Sequence, residues 1–196
     1  MVKSKGYKEN LANLWETLEC TKKHGLKINP NKCAFGVSAG QFLGFMVYER
    51  GIEIGQRSMK AIDEKVSPTT KIELQSLLGK INFIRKFVSN LSERVLPFSP
   101  LLKLKNDQEF KWSDVQQKAF DEIKEYMKCP PMLVPSQQGK PFELYVSADD
   151  QTIGLALMQE FEDKERVVFY LSRRLLDPEK IFSHREVMLM LIFLLH

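Results

Sequence analysis

The 196-residue chain is 43% hydrophobic and 28% charged, the proportions of a globular protein long enough to bury a core in one large or two small domains. Its net charge of +4 is unevenly spread: residues 1 to 100 carry 16 Lys and Arg against 9 Asp and Glu, and residues 101 to 196 carry 13 against 16, so a polyanion is expected on the first half. Three scattered cysteines, Cys20, Cys33 and Cys129, indicate neither a disulfide framework nor a zinc cluster, and with no apolar run of 18 residues and no signal-peptide core the expected location is intracellular, cytoplasmic or nuclear, without a membrane partner.

Residues 8 to 24 read as a helix on the spacing of Leu11, Leu14, Trp15, Leu18 and Cys20, ended by Gly25. Leu26 to Phe35 reads as a short strand, a turn at Pro30 and a second strand. Residues 41 to 47 and 52 to 54 flank Tyr48-Glu49-Arg50-Gly51, the pattern of a β-hairpin. A helix from about Ser58 to Lys65 follows. Ser67-Pro68 breaks the chain, and Thr69 or Thr70 supplies an N-cap, with Glu73 completing a capping box.

The stretch from 70 to 88 organises the rest. Leu74, Leu77, Leu78, Ile81, Ile84 and Val88 recur at helical spacing, and Gln75, Gly79, Asn82 and Lys86 form a second stripe roughly 130° round the same helix. A glycine in mid-helix costs about 1 kcal/mol relative to alanine. Either it is tolerated on an ordinary amphipathic surface, or another surface approaches the backbone there. In the second case the Gln and Asn amides, with Lys80, Arg85 and Lys86 nearby, suit the sugar edges and phosphates of a duplex.

Beyond a turn at Leu96-Pro97-Phe98-Ser99-Pro100 come a short apolar helix at 101 to 104 and a longer one at 114 to 128. In the longer helix Val115, Ala119, Ile123 and Met127 recur every four residues, and Cys129-Pro130-Pro131 stops it. Three strands follow, 142 to 148, 153 to 158 and 166 to 171, and then a helix from about Ser183 to the end.

Several phrases resemble the polyprotein of gypsy-class LTR retrotransposons, in that family's order. Leu74-Gln75-Ser76-Leu77-Leu78-Gly79-Lys80-Ile81-Asn82-Phe83 looks like the minor-groove helix of the reverse-transcriptase thumb, and Phe42-Leu43-Gly44 like its primer grip. Leu26 to Phe35 resembles the segment that closes the palm, and Phe110-Lys111-Trp112-Ser113 with the helix after it resembles the connection. Ile153-Gly154, Tyr170-Leu171-Ser172-Arg173 and Phe182-Ser183 with Glu186 resemble the start of a ribonuclease H domain. The resemblance implies an α+β fold: a palm-end hairpin and primer grip at 1–66, thumb and connection helices at 67–130, and a truncated ribonuclease H-like sheet of three antiparallel strands with one helix at 131–196. It implies a nucleic-acid interface at Phe42, Leu43, Gly44, Gln75, Gly79, Lys80, Asn82, Phe83 and Lys86. The implied partners are an RNA–DNA hybrid or DNA duplex and the palm and fingers portion of the polyprotein.

The implied parent activities, RNA-directed DNA polymerase and ribonuclease H, both use two magnesium ions gathered by carboxylates. The polymerase Tyr-x-Asp-Asp turn is not in this sequence. Of the ribonuclease H carboxylates, Glu186 matches the helix position and Ser147 stands where active relatives carry aspartate; Asp149, one alternation further on, either assists Glu186 in a weak single-metal site or is a solvated turn aspartate. His24, His184 and His196 show no ligand spacing. The expectation is a fragment that keeps the nucleic-acid-gripping parts, binds no functional metal and is inactive alone, with a non-catalytic duplex-binding module or a functionless relic as alternatives.

Overall fold

A computed structural model describes residues 2, 4, 6–105, 108–183, 185, 186, 188 and 189. It begins with helix α1, Tyr7–Lys23, closed by Gly25 at φ +67° while Leu26 N–H returns to the Thr21 carbonyl. None of α1 is buried. The segment after it forms no strand among the described residues; Asn29 caps a 3₁₀ turn, Pro30–Lys32, with its side chain. The strand-turn-strand expected at 26 to 35 is therefore corrected: this segment is exposed and no neighbouring strand pairs with it.

The first antiparallel sheet has the order β1 (Ala39–Phe42), β2 (Phe45–Tyr48), β3 (Ile52–Ile54). The run 41 to 47 expected as one strand is broken, because Leu43 and Gly44 both have positive φ, +49° and +82°, and turn the chain back in two residues. Gly51 is needed for a different reason. A Cβ there would lie 2.3 Å from the Leu133 carbonyl oxygen, on which Ile52 N–H closes a bridge at 2.8 Å.

Helix α2, Gln56–Asp63, leads through buried Pro68 to α3, Lys71–Phe83. Thr70 caps α3, accepting from Glu73 N–H, and the Glu73 carboxylate accepts the N–H and hydroxyl of Thr69, which holds its carboxyl below the usual range. The helix expected to run to 88 ends at Phe83 and tightens into a 3₁₀ turn, Arg85–Phe87, so Phe87 as well as Ile84 and Val88 points inward. Short helices α4 (Leu91–Arg94) and α5 (Ser99–Leu102), joined by a 3₁₀ turn at Leu96–Phe98, carry the chain to α6, Asp114–Lys128. On α6, Val115 is exposed and Gln116 takes its place in the buried stripe with Ala119, Phe120, Ile123 and Met127. Gln116 closes a capping box with Ser113 and donates to the Pro97 carbonyl at 2.8 Å, which makes a buried amide favourable where a regular apolar repeat predicted valine.

The second sheet has the order β4 (Glu143–Ala148), β5 (Thr152–Phe161), β6 (Lys164–Arg174), all antiparallel, with a bulge beside Leu157 and Met158. The C-terminal helix expected from Ser183 lies largely outside the described residues. One core joins these parts. Leu74, Leu77, Ile81, Ile84, Phe87, Phe98, Phe120 and Ile123 are almost wholly buried, and Ile54 of the first sheet and Val167 of the second pack into the same cluster.

Candidate nucleic-acid interface

The buried stripe of α3 turns its opposite side outward. Gln75, Gly79 and Asn82 are exposed, and a Cβ added at Gly79 would meet nothing within 4 Å. The helix therefore keeps this glycine without any close neighbour inside the described fold. Beside it, Ser58 and Ala61 of α2 and Ser76, Gly79, Lys80 and Phe83 of α3 line a cleft of about 350 Å³.

The hairpin tip meets α3 at its C-terminal end. The Phe45 and Phe83 rings stack with centroids 4.9 Å apart and planes 8° apart, and Phe87 stacks on Phe45 at 5.4 Å. Gly44 is pressed on the same stack: a Cβ there would sit 2.8 Å from Phe83 Cζ. Lys86 Nζ lies 4.0 Å from the Phe45 ring centroid, a cation–π contact that holds the ammonium over the hairpin. The structure thus brings Gly44, Phe83 and Lys86 together and leaves Phe42 and Leu43 projecting from the tip, exposed. Phe45, the ring at the centre of this cluster, is the residue that sequence reasoning missed; the two-residue turn before it is the signal that would have singled it out.

Lys80 is placed differently from the other basic residues. Its ammonium donates to the Ala61 carbonyl at 3.5 Å, on the end of α2, where Lys65 N–H bonds Ile62 instead and leaves that carbonyl open. Lys124 closes the same helix end by donating to the Asp63 and Lys65 carbonyls, each at 2.7 Å.

The carboxylates expected to hold metal stand apart from this face. Glu186 accepts the N–H and the hydroxyl of Ser183 at 2.8 and 2.7 Å, and these two bonds, the hydroxyl's first, hold its carboxyl below the usual range. Asp149 is exposed just past the end of β4, its N–H on the Thr152 carbonyl, and Ser147 is exposed opposite Gly154. No group of three or more His, Cys, Asp or Glu placed to hold a metal occurs among the described residues. One hydroxyl, one turn aspartate and one glutamate bonded to Ser183 do not match the donor set of a two-magnesium centre.

Residues 112–195 match the family described as an RNase H-like domain found in reverse transcriptase. The transposon Tf2-3 and Tf2-4 polyproteins of Schizosaccharomyces pombe are each 29% identical to the chain over 184 residues, 93% of its length. Residues 112–195 thus carry an RNase H-like domain of the reverse-transcriptase type, and the chain as a whole is similar to gypsy-class retrotransposon polyproteins. It spans 14% of the length of those relatives. Its fold is also that of two solved foamy viral protease–reverse transcriptases. One, in complex with RNA/DNA hybrid, superposes with a TM-score of 0.80 over 97% of this chain and 26% of its own length. The other, in complex with double-stranded DNA, gives 0.77 over 94% and 32%. Both are 24% identical. No described helix is long and apolar enough to cross a membrane.

Proposed function

We propose that this chain is the duplex-holding part of a reverse transcriptase, gripping an RNA–DNA hybrid or DNA duplex along α3 and at the hairpin tip, without catalytic turnover of its own. In this reading residues 1–66 are the end of the palm with its primer grip, 67–130 the thumb and connection, and 131–196 a ribonuclease H-like domain that serves as scaffold. The palm and fingers of the longer polyprotein are its covalent or docking partners. The observation that carries the proposal is the open ridge Gln75, Gly79, Asn82, with nothing among the described residues within 4 Å of a Cβ added at the glycine. The stack Phe45–Phe83 supports it by fixing the projecting Phe42 and Leu43 relative to that ridge. The foamy viral neighbours hold RNA/DNA hybrid and double-stranded DNA, so the hybrid is the ligand to test. The lack of catalysis is argued from Ser147, whose hydroxyl carries no charge, and from Glu186, whose oxygen is taken by Ser183.

The deciding experiment is fluorescence-anisotropy titration of a labelled RNA–DNA hybrid over a salt series. Binding with a negative slope of log K against log salt is expected, because phosphate contacts release counterions. Gly79→Glu, which puts bulk and charge on the ridge, is expected to weaken it at least tenfold. Equal binding by Gly79→Glu overturns the proposal. The same hybrid with magnesium is expected to stay intact, and cleavage abolished by Glu186→Gln refutes the claim of inactivity.

A further inference from the structure

The α2–α3 cleft has two walls, and only α3 carries residues assigned above to a duplex. Two basic residues on that wall are already engaged, Lys80 on the Ala61 carbonyl and Lys86 over the Phe45 ring, which leaves Arg85 exposed beyond the end of α3. On the α2 side, Arg57 and Lys60 are exposed and their side chains make no hydrogen bond or ion pair among the described residues. Arg57 is one helical turn before Ala61 and adjacent in sequence to Ser58, the two residues by which α2 lines the cleft. At 100° per residue Arg57 stands about 40° round α2 from Ala61, just outside the cleft lining, and Lys60 about 100° from Ala61, where only the reach of its side chain brings the ammonium toward the rim.

The geometry points to α2 as the second half of the duplex cradle: one sugar–phosphate strand of the hybrid lies in the cleft over Ser58, Ala61 and Gly79, its phosphates met by Arg57 and Lys60. This rests on the hybrid-binding function proposed above and adds to it an element, a residue pair and a strand path. Small side chains at Ser58, Ala61, Ser76 and Gly79 leave room for sugar edges along both walls. A guanidinium is suited to phosphate because its fork of N–H donors matches the anion's oxygens. Asp63 and Glu64 put negative charge at the far end of α2, so the strand leaves the cleft there and is not carried past it. Lys80 is a positioning residue: by bonding the open end of α2 it fixes the spacing of the two walls.

The test uses the full chain and the same labelled hybrid. Arg57→Ala combined with Lys60→Ala is expected to weaken binding and to make the slope of log K against log salt shallower by about one to two, the loss of roughly two phosphate contacts. Lys118→Ala, on the exposed side of α6, is expected to leave affinity and slope at the wild-type values. Lys80→Met is expected to weaken binding with the slope unchanged and to speed hydrogen exchange of α2 amides, with Lys80→Arg restoring both. If the Arg57/Lys60 double variant keeps wild-type affinity and slope while Gly79→Glu loses binding, the cradle is overturned and hybrid binding along α3 stands. If the wild-type chain itself shows no salt-dependent binding, both fall. A slope change for Lys80→Met as large as that of the double variant overturns its positioning role.

Discussion

Leu43 is held at φ +49° with its side chain 73% exposed at the hairpin tip. A left-handed backbone costs a leucine roughly 1–2 kcal/mol, and an asparagine less, since its short polar side chain bonds locally. Leu43→Asn is therefore expected to raise stability in urea denaturation by about 1 kcal/mol, and to weaken hybrid binding if this leucine is kept for contact. Gln159 is an opposite case, fully buried and fully paired: its amide donates to the Gln137 and Lys140 carbonyls and accepts Gln137 N–H. Gln159→Leu orphans those backbone groups and is expected to destabilise by about 1–3 kcal/mol in the same measurement. No pattern in the sequence distinguishes this glutamine, because its partners are backbone atoms about twenty residues away. Glu179 gives a pH signature. Two hydrogen bonds from the Arg173 guanidinium, at 2.6 and 2.7 Å, and one from Leu176 N–H hold its carboxyl at about 2 against an ordinary 4.5. A depressed folded-state value means this pair stabilises fully above about 4.5, and the contribution disappears as pH falls toward 2. Thermal melts from pH 5 to 2 are expected to show a steeper fall for wild type than for Arg173→Gln.

At the scale of elements, the hairpin and α3 act as one body because their aromatic rings are shared. Phe83→Ala removes the ring on which Phe45 and Gly44 rest. Since Phe83 is half-exposed, the expected loss of stability is about 1–2 kcal/mol, smaller than for a core phenylalanine. Faster hydrogen exchange is expected at β1 and β2 amides and not at β5; unchanged protection of the hairpin would show that the stack does not hold it. Helices α3 and α6 and strand β4 were legible from periodicity, since the two helices bury one face and β4 alternates, whereas α1 shows helical apolar spacing and buries nothing. Their ends were less so. Helix α3 stops five residues early, and the 3₁₀ turn Arg85–Phe87 that replaces it brings Phe87 into the core beside Ile84 and Val88, while α6 buries Gln116 because its amide meets the Pro97 carbonyl. The exposed glycine ridge was legible, whereas its second wall was not, as α2 shows in sequence only as a short amphipathic run.

Across the described residues the main core links both sheets, with Ile54, Leu133 and Val167 in one cluster, and a smaller cluster of Ile153 and Leu175 lies in the second sheet. The start of α4 adds polar ties: Ser92 N–H donates to the Ser172 hydroxyl at 2.9 Å, and the side chain of the N-cap residue Asn90 sits against Gly154, which has no room for a Cβ. Unfolding is expected to be one transition, with Trp112 fluorescence in a Trp15→Phe background coinciding with far-ultraviolet circular dichroism. Separate midpoints would show that the second sheet folds independently. That this core would be shared was not legible, because contacts between residues eighty or more apart leave no local pattern. The bridge between Ile52 and Leu133 extends the point. A protease nick after Lys128 would yield two peptides that stay clasped, since the segment following the cut completes the hairpin preceding it. Severing the backbone there should change electrophoretic bands under denaturing conditions and leave elution volume under native ones the same.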